Sequence, residues 1–211
     1  MKKKGVTLVE VVIVIAISGI LASAFVTVMV PMMNFYFYYP ESSRVNNAAM
    51  DVLQIILKGD NRAKGLRFTG KPCTIPTGGA IAITAASATS VTYNYAMSDN
   101  CGTGGANDVT VVLTYDSGNH IVTRAIDGGA AVEIPSYATA ASGIKIDAPS
   151  GVSFFRYFDS AGTEMTGGGI VVTSIYRVDI TVNATSGTGV VKHSAGQILM
   201  KGAVEIKRYV A

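Results

Sequence analysis

The sequence predicts an α+β fold, in which a long N-terminal helix packs on an antiparallel β-sheet body. Two patterns predict it. Residues 11–39 carry no charged side chain, whereas from residue 80 onward apolar and polar residues alternate in runs rich in β-branched side chains. The composition agrees, because 15% charged residues and 23 glycines suit a loop-rich β body better than a charged helix bundle.

The first predicted element is a membrane-spanning helix. The run from Val11 to Met33 is uncharged, and at ~1.5 Å per residue it is long enough to cross a hydrocarbon core of ~30 Å. The aromatic residues 35–39 follow it, where an interfacial aromatic belt would lie. We place this transmembrane and assembly helix at residues 6–40.

The charge distribution orients the helix. The net charge is +3, from 17 Lys and Arg against 14 Asp and Glu, and three of the lysines precede the helix. These are Lys2, Lys3 and Lys4. By the positive-inside rule the leader, residues 1–5, stays cytoplasmic, so that residues 41–211 form an extracytoplasmic domain. Without the leader lysines the chain has 14 charges of each sign, which predicts no direct contact with nucleic acid.

Glu10 is the exceptional residue of this helix. A carboxylate inside an apolar helix costs about 2.5 kcal/mol or more and marks a function that involves a partner. Glu10 ends the string Gly5-Val6-Thr7-Leu8-Val9-Glu10. A short basic leader, a glycine, an apolar residue, Thr-Leu and then the glutamate closely resemble the prepilin peptidase motif of type IV pilins and pseudopilins.

That resemblance implies how the N-terminus is processed and used. A prepilin peptidase would cut after Gly5 on the cytoplasmic face and methylate the new amine of Val6. Glu10, together with Thr7 and Leu8, would form the assembly site, where the carboxylate neutralises the terminal amine of a neighbouring subunit. The implied partners are other pilin or pseudopilin subunits, the peptidase and an assembly platform in the bacterial inner membrane. The subunit would cross that membrane once and later enter a pilus or pseudopilus fibre.

Two other interpretations of the N-terminus stay open. In a plain membrane anchor, Glu10 could snorkel to the cytoplasmic interface or be protonated. Residues 22–24 (Ala-Ser-Ala) also form a site at which an ordinary signal peptidase could cut before Phe25 and release a soluble protein. The apolar run continues past that site to Met33, so this cleavage would leave an exposed apolar N-terminus.

The second predicted element is an amphipathic helix at residues 41–63 that continues the membrane helix. Apolar residues recur at steps of three and four and form one stripe. The stripe consists of Val45, Ala49, Val52 and Ile56. We expect it to pack on the sheet and to end at Gly59 or Gly65. Pro40 is expected to mark a kink or a boundary between the two helices.

The remaining residues, 66–211, are predicted to be β-rich. The predicted strands lie at 80–84, 90–95, 108–115, 119–126, 152–158, 170–182 and 197–208. The order of elements resembles that of larger minor pilins and of J-type minor pseudopilins of type II secretion. The residues that carry this looser resemblance are 112–115, 121–124, 151–159 and 176–180.

Cys73 and Cys101 are the only cysteines, and an even number in an extracytoplasmic domain favours a disulfide, which would stabilise the fold by ~3 to 4 kcal/mol. His120 and His193 lack the spacing of a zinc site. No nucleophile elbow, P-loop or dinucleotide fingerprint occurs. We therefore predict a protein without enzyme activity, cofactor or metal.

The sequence thus predicts a structural subunit of a type IV pilus or a type II secretion pseudopilus. A minor subunit fits best, because by resemblance major pseudopilins are shorter than 211 residues, major pilins carry their cysteine pair near the C-terminus, and tip-most K-type pseudopilins lack the glutamate. A major or adhesive pilin stays an alternative. A different class, an exported membrane-anchored β domain that binds a ligand or has enzyme activity, is the further alternative.

Overall fold

The structure is a computed structural model that describes residues 7–68, 83–96, 108–134, 143–186 and 198–206. The chain forms two compact units, Met1–Glu41 and Ser42–Ala211. Helix α1 (Leu8–Lys58) contributes residues to both units. All strands lie in the second unit and every pairing is antiparallel, which confirms the predicted α+β fold class.

Helix α1 runs without interruption through Pro31 and Pro40. A proline inside a helix removes one backbone hydrogen bond, and the intact turns on both sides can carry the helix past it. Pro40 therefore does not separate two helices, although the division between the two compact units falls just after it, between Glu41 and Ser42. The helix ends at Lys58 rather than at residue 63, because Gly59 adopts a left-handed φ of 85° that terminates the α-helical path.

The first sheet contains five strands in sequential order. They are β1 (Ile83–Ala86), β2 (Ser90–Ala96), β3 (Asp108–Asp116), β4 (Ile121–Ile126) and β5 (Val132–Ile134). Burial alternates along β3, where Val109, Val111, Leu113 and Tyr115 face the core. This alternation is the period of two that predicted the strand.

The second sheet also contains five strands, arranged around β9. They are β6 (Ile144–Asp147), β7 (Phe155–Phe158), β8 (Glu164–Met165), β9 (Arg177–Ser186) and β10 (Ile198–Glu205). Strand β10 pairs with one edge of β9, and β7 and β6 pair with successive halves of the other edge. Strand β8 pairs with β7 at the rim.

One difference from prediction in the second sheet lies at the start of β9. Residues 170–176 are not a strand, although their β-branched residues predicted one, and they include a 3-10 turn at Val172–Ser174. A strand needs a neighbour for its backbone groups, and β7 ends at Phe158, opposite Arg177. Strand β9 therefore begins only at Arg177. The short strands β5, β6 and β8 were not predicted.

The core of the second unit lies between the end of α1 and the two sheets. Val45, Ala49, Val52 and Ile56 are fully buried in it, so the predicted apolar stripe of the helix is confirmed. Leu53 and Leu57 approach β10 at Gly202, where an added Cβ would lie 2.9 Å from Leu57 Cδ1. The missing side chain therefore lets the helix approach this strand closely.

Arg124 is buried in this core, and its charge is balanced by the turn that follows α1. Its side chain is 4% exposed, and Nη2 lies 2.8 Å from Asp60 Oδ2. Burial by itself would raise the pKa of Asp60, but hydrogen bonds from Arg124 and from the backbone N–H groups of Arg62 and Ala63 hold the pKa below its usual value. Sequence patterns did not predict this pair.

Polar side chains also connect the two sheets. Tyr157 of β7 donates its hydroxyl to the carbonyl oxygens of Ser87 and Ser90, at 2.9 and 2.8 Å. On β6, Asp147 Oδ1 lies 2.7 Å from His120 Nδ1 and accepts the Tyr115 hydroxyl at 2.9 Å. His120 therefore pairs with a carboxylate of the other sheet while adopting a left-handed φ of 58°.

Candidate functional site at the start of helix α1

Thr7 caps the N-terminus of α1. The backbone N–H of Glu10 donates to Thr7 Oγ1 at 3.3 Å and to the Thr7 carbonyl at 3.1 Å, and Val11 N–H donates to the same carbonyl. A threonine followed by a glutamate three residues later is the pattern of a capping box. The Thr-Leu-Val-Glu string could have revealed this role, which the motif-based interpretation of Thr7 missed.

The capping box is only half formed. Thr7 accepts the N–H of Glu10, but within the described part of the chain the Glu10 carboxylate makes no hydrogen bond or ion pair of its own. It is exposed in the first turn of the helix, where the positive end of the helix dipole favours a negative charge. The carboxylate is thus available to a group from another molecule.

The apolar segment that follows Glu10 is exposed throughout. Among the described residues one helix is long and apolar enough to cross a membrane, at Leu8–Met33, and none of its most apolar window is buried within the protein. At ~1.5 Å per residue its 26 residues cover ~39 Å, which exceeds a hydrocarbon core of ~30 Å. Residues of this kind require lipid or other helices around them.

Two hydroxyl side chains of this segment are satisfied within the helix. Ser23 Oγ donates to the Ile20 carbonyl and Thr27 Oγ1 donates to the Ser23 carbonyl, each at 2.8 Å. Such bonds within the helix remove the cost of placing a hydroxyl in lipid. Glu10 is the one charged residue between Leu8 and Met33, and its carboxylate has no hydrogen-bond or ion-pair partner among the described residues.

The other residues predicted for processing and stability lie outside the described residues. These are Lys2, Lys3, Lys4, Gly5, Val6, Cys73 and Cys101. The cleavage site after Gly5 and the bridge between Cys73 and Cys101 therefore stay predictions. The structure does bring Thr7, Leu8 and Glu10 into one helical turn, as the motif requires.

Within the described residues, no group of three or more His, Cys, Asp or Glu side chains is placed to hold a metal ion. Tyr115, His120 and Asp147 form a polar cluster between the two sheets. All of its hydrogen bonds run between its members and the backbone of the two sheets, so it acts as a joint between them.

Comparison with known protein families identifies the N-terminus. Residues 1–26 match the family model described as the prokaryotic N-terminal methylation motif, which is the signature of type IV pilins and pseudopilins. Comparisons with curated proteins and with solved structures find no match. The similarity to known families therefore rests on the segment that contains Thr7, Leu8 and Glu10.

The matched motif supports an exported subunit of the pilin or pseudopilin type. It points to a structural rather than an enzymatic role, and it implies processing by prepilin peptidase and assembly with other pilin subunits. One exposed apolar helix beside the motif fits a membrane-anchored pilin.

Proposed function

We propose that this chain is a minor structural subunit of a type IV pilus or a type II secretion pseudopilus. Prepilin peptidase cuts it after Gly5 and methylates Val6, and an inner-membrane platform then moves it from the membrane into the fibre. In the membrane the body, residues 41–211, faces the extracytoplasmic side. The carboxylate of Glu10 carries this proposal: it is exposed at the start of an apolar helix within the methylation motif, and it has no partner among the described residues.

The physical step is the burial of two opposite charges together. Cleavage after Gly5 would leave a positive amine on Val6, and Glu10 carries the negative charge. Each group is costly alone in an apolar environment, but a carboxylate and an amine on two staggered helices offset each other's desolvation. The apolar residues of Leu8–Met33 would then exchange lipid for the helices of neighbouring subunits.

A minor rather than a major role is supported by the body. By resemblance, its length of 211 residues exceeds that of major pseudopilins, and Cys101 lies far from the C-terminus. We further propose that Cys73 and Cys101 form a disulfide in the oxidising extracytoplasmic space. In fibres sheared from cells, a minor subunit should be present at a small fraction of the abundance of the major one.

Mass spectrometry and one matched pair of substitutions test the proposal. In a host with its native peptidase and pilus machinery, the mature chain should begin at N-methylated Val6. Glu10→Gln removes the charge while keeping the size of the side chain, and we expect its amount in sheared fibres to fall by at least about tenfold, because breaking a desolvated ion pair costs about 3–5 kcal/mol.

Asp51→Asn is the matched control, because it makes the same chemical change on α1 within the second unit. It should assemble like the natural chain. Normal incorporation of Glu10→Gln into fibres would refute the assembly role of Glu10. A mature chain that begins at Phe25 would instead identify an ordinary exported β domain, and an uncut chain would identify a simple membrane anchor.

A further inference from the structure

Two groups of cationic side chains in the described part of the body differ in how their charge is balanced. The arginines on the strands are held by carboxylates: Arg124 by Asp60, Arg156 by Glu164 and Arg177 by Asp179. Arg156 and Arg177 also lie against the ring of Phe158, at 5.2 and 4.2 Å from its centroid. These charges are neutralised locally and serve the packing of the sheets.

The second group lies where α1 ends and has no such neutralisation. We call residues 58–67 the basic turn. Its cationic residues are Lys58, Arg62, Lys64 and Arg67, and all of them are exposed. Within the described part of the chain none of the four forms an ion pair with a carboxylate. The near-zero net charge of the body conceals this concentration of positive charge.

The backbone of the basic turn is tightly closed. Gly59 and Lys64 form an isolated antiparallel bridge, and Asp60 N–H donates to the Ala63 carbonyl at 2.9 Å. A Cβ on Gly65 would lie 2.4 Å from the backbone nitrogen of Gly59, so the returning chain lies directly against the end of the helix. This arrangement places Lys58 and Lys64 on adjacent backbone segments, with Arg62 at the bend between them.

Asp60 is the one acidic residue of the basic turn, and both of its carboxylate oxygens are bound by groups of the protein. Asp60 Oδ1 accepts the N–H groups of Arg62 and Ala63 at 2.8 and 3.2 Å, and Oδ2 pairs with the buried Arg124. Asp60 is thus neutralised by a buried cation, so it does not offset the exposed cations.

Contacts with the first sheet fix the turn in place. The Tyr93 hydroxyl donates to the Lys64 carbonyl at 2.8 Å, and Lys64 Nζ lies 5.7 Å from the ring centroid of Tyr95. Leu66 anchors the far end in the core, fully buried. The cations are therefore carried on an ordered backbone, which lowers the entropy lost when they bind a partner.

We infer that the basic turn binds the phosphate backbone of double-stranded nucleic acid without reading its sequence. Phosphate contacts by Lys and Arg supply such binding through counterion release. The turn exposes no apolar centre, because Ala63 and Leu66 are buried, whereas a protein partner requires a desolvated apolar core at its interface. The tyrosines beside it, Tyr93 and Tyr95, are buried as well, so neither ring offers a surface to unstacked single-stranded bases.

This binding requires neither cleavage of the leader nor assembly into a fibre, so it can be tested separately from the proposed function. The full chain in non-ionic detergent is titrated with a short mixed-sequence DNA duplex at several salt concentrations. If all four cations contact phosphates, log K should fall against log salt with a slope of about −3.6, which is more than a hundredfold loss from about 50 to about 200 mM salt.

Matched substitutions assign the effect to the turn. Arg62→Gln should make the slope shallower by about 0.9, whereas Lys145→Gln, which removes one exposed charge from β6, should leave the slope unchanged. Replacing all four cations of the turn by glutamine should abolish binding, with an unchanged thermal unfolding midpoint showing that the body is folded. If that variant does not fold, the two single variants still decide the question.

Three outcomes would overturn the inference. Equal effects of Arg62→Gln and Lys145→Gln would show that binding follows net charge alone. Equally tight binding of poly-L-glutamate would indicate an acidic protein partner, and preferred binding to vesicles of anionic over neutral lipid, with no binding of DNA, would indicate a membrane surface.

Discussion

The two halves of helix α1 have similar apolar side chains and opposite surroundings. Ile15 in the first half is 66% exposed, whereas Ile56 in the second half is completely buried. In the second half the apolar residues form one stripe, and the same unit supplies the two sheets that cover it. The first half is apolar on all sides, and the described residues of its unit provide nothing to cover it. The chain completes its own core in one half and relies on lipid or on other helices in the other.

Identical substitutions in the two halves test this contrast most directly. Ile56→Ala removes buried atoms from the core and should lower the free energy of unfolding of the body by about 2–5 kcal/mol. Ile15→Ala removes atoms that nothing in the chain contacts closely, and its effect should stay within about 0.5 kcal/mol. Denaturant unfolding of both variants in the same non-ionic detergent, followed by tyrosine fluorescence, measures the difference. Similar losses for both would mean that the first half is part of the folding unit.

The buried charge of the body provides the next comparison. Breaking a buried ion pair costs about 3–5 kcal/mol. Arg124→Ala should lower the free energy of unfolding of the body by an amount at or somewhat below the lower end of that range. The lower end applies because Asp60 is 29% exposed and keeps some contact with water. Arg156→Ala is the control, since its pair with Glu164 is about one-third exposed on both sides and should contribute at most about 1 kcal/mol. A larger loss for Arg156→Ala than for Arg124→Ala would contradict this ranking.

At acid pH, the stabilisation that the Arg124–Asp60 pair gives to the fold should disappear. The pKa of Asp60 is lowered in the folded state, so the pair stabilises the fold fully above the unfolded-state pKa of about 3.9 and loses its effect as the pH falls through the folded-state value. The difference in unfolding free energy between the natural chain and Arg124→Ala should therefore be constant near neutral pH and shrink below about pH 4. A difference that does not change with pH would show that Arg124 acts by packing alone.

Two glycines give the smallest of the expected effects. A Cβ at Gly202 would lie 2.9 Å from Leu57 Cδ1 and 3.2 Å from Leu53 Cδ2, at the ends of flexible side chains. Gly202→Ala should therefore cost about 1 kcal/mol, the low end of the cost of overpacking. Gly19→Ala meets no atom within 4 Å and should leave the unfolding of the body unchanged. The same denaturant titrations compare them, and an unaffected Gly202→Ala would show that the helix can move away from β10.

Sequence patterns predicted the elements whose apolar residues recur with a regular period. The stripe of Val45, Ala49, Val52 and Ile56 and the alternation along β3 are both local and periodic, and the structure confirms both. The short strands β5, β6 and β8 have too few residues to show a period. Residues 170–176 show the opposite case, because their composition favours a strand, but the ladders that β7 and β10 form with β9 begin only at Arg177.

The motif predicted which residues matter at the start of helix α1, but it predicted only part of their geometry. The motif singled out Glu10, and the family comparison covers the same residues. The sequence also contained the Thr-x-x-Glu spacing of a capping box, but it did not indicate that the Glu10 carboxylate would be left without a partner. Whether the glutamate of a capping box bonds back to the backbone depends on side-chain geometry rather than on sequence spacing.

The sequence by itself determined that the chain begins with a cluster of lysines, continues with an apolar span that contains one carboxylate, and then forms a body in which a helix precedes antiparallel strands. Those properties follow from composition and period, which are local. The tertiary structure decided which charges are neutralised. Arg124 and Asp60 lie 64 positions apart in sequence yet 2.8 Å apart in space, while the cations of residues 58–67 face solvent. Pairing depends on distance between side chains, and only the folded chain sets that distance.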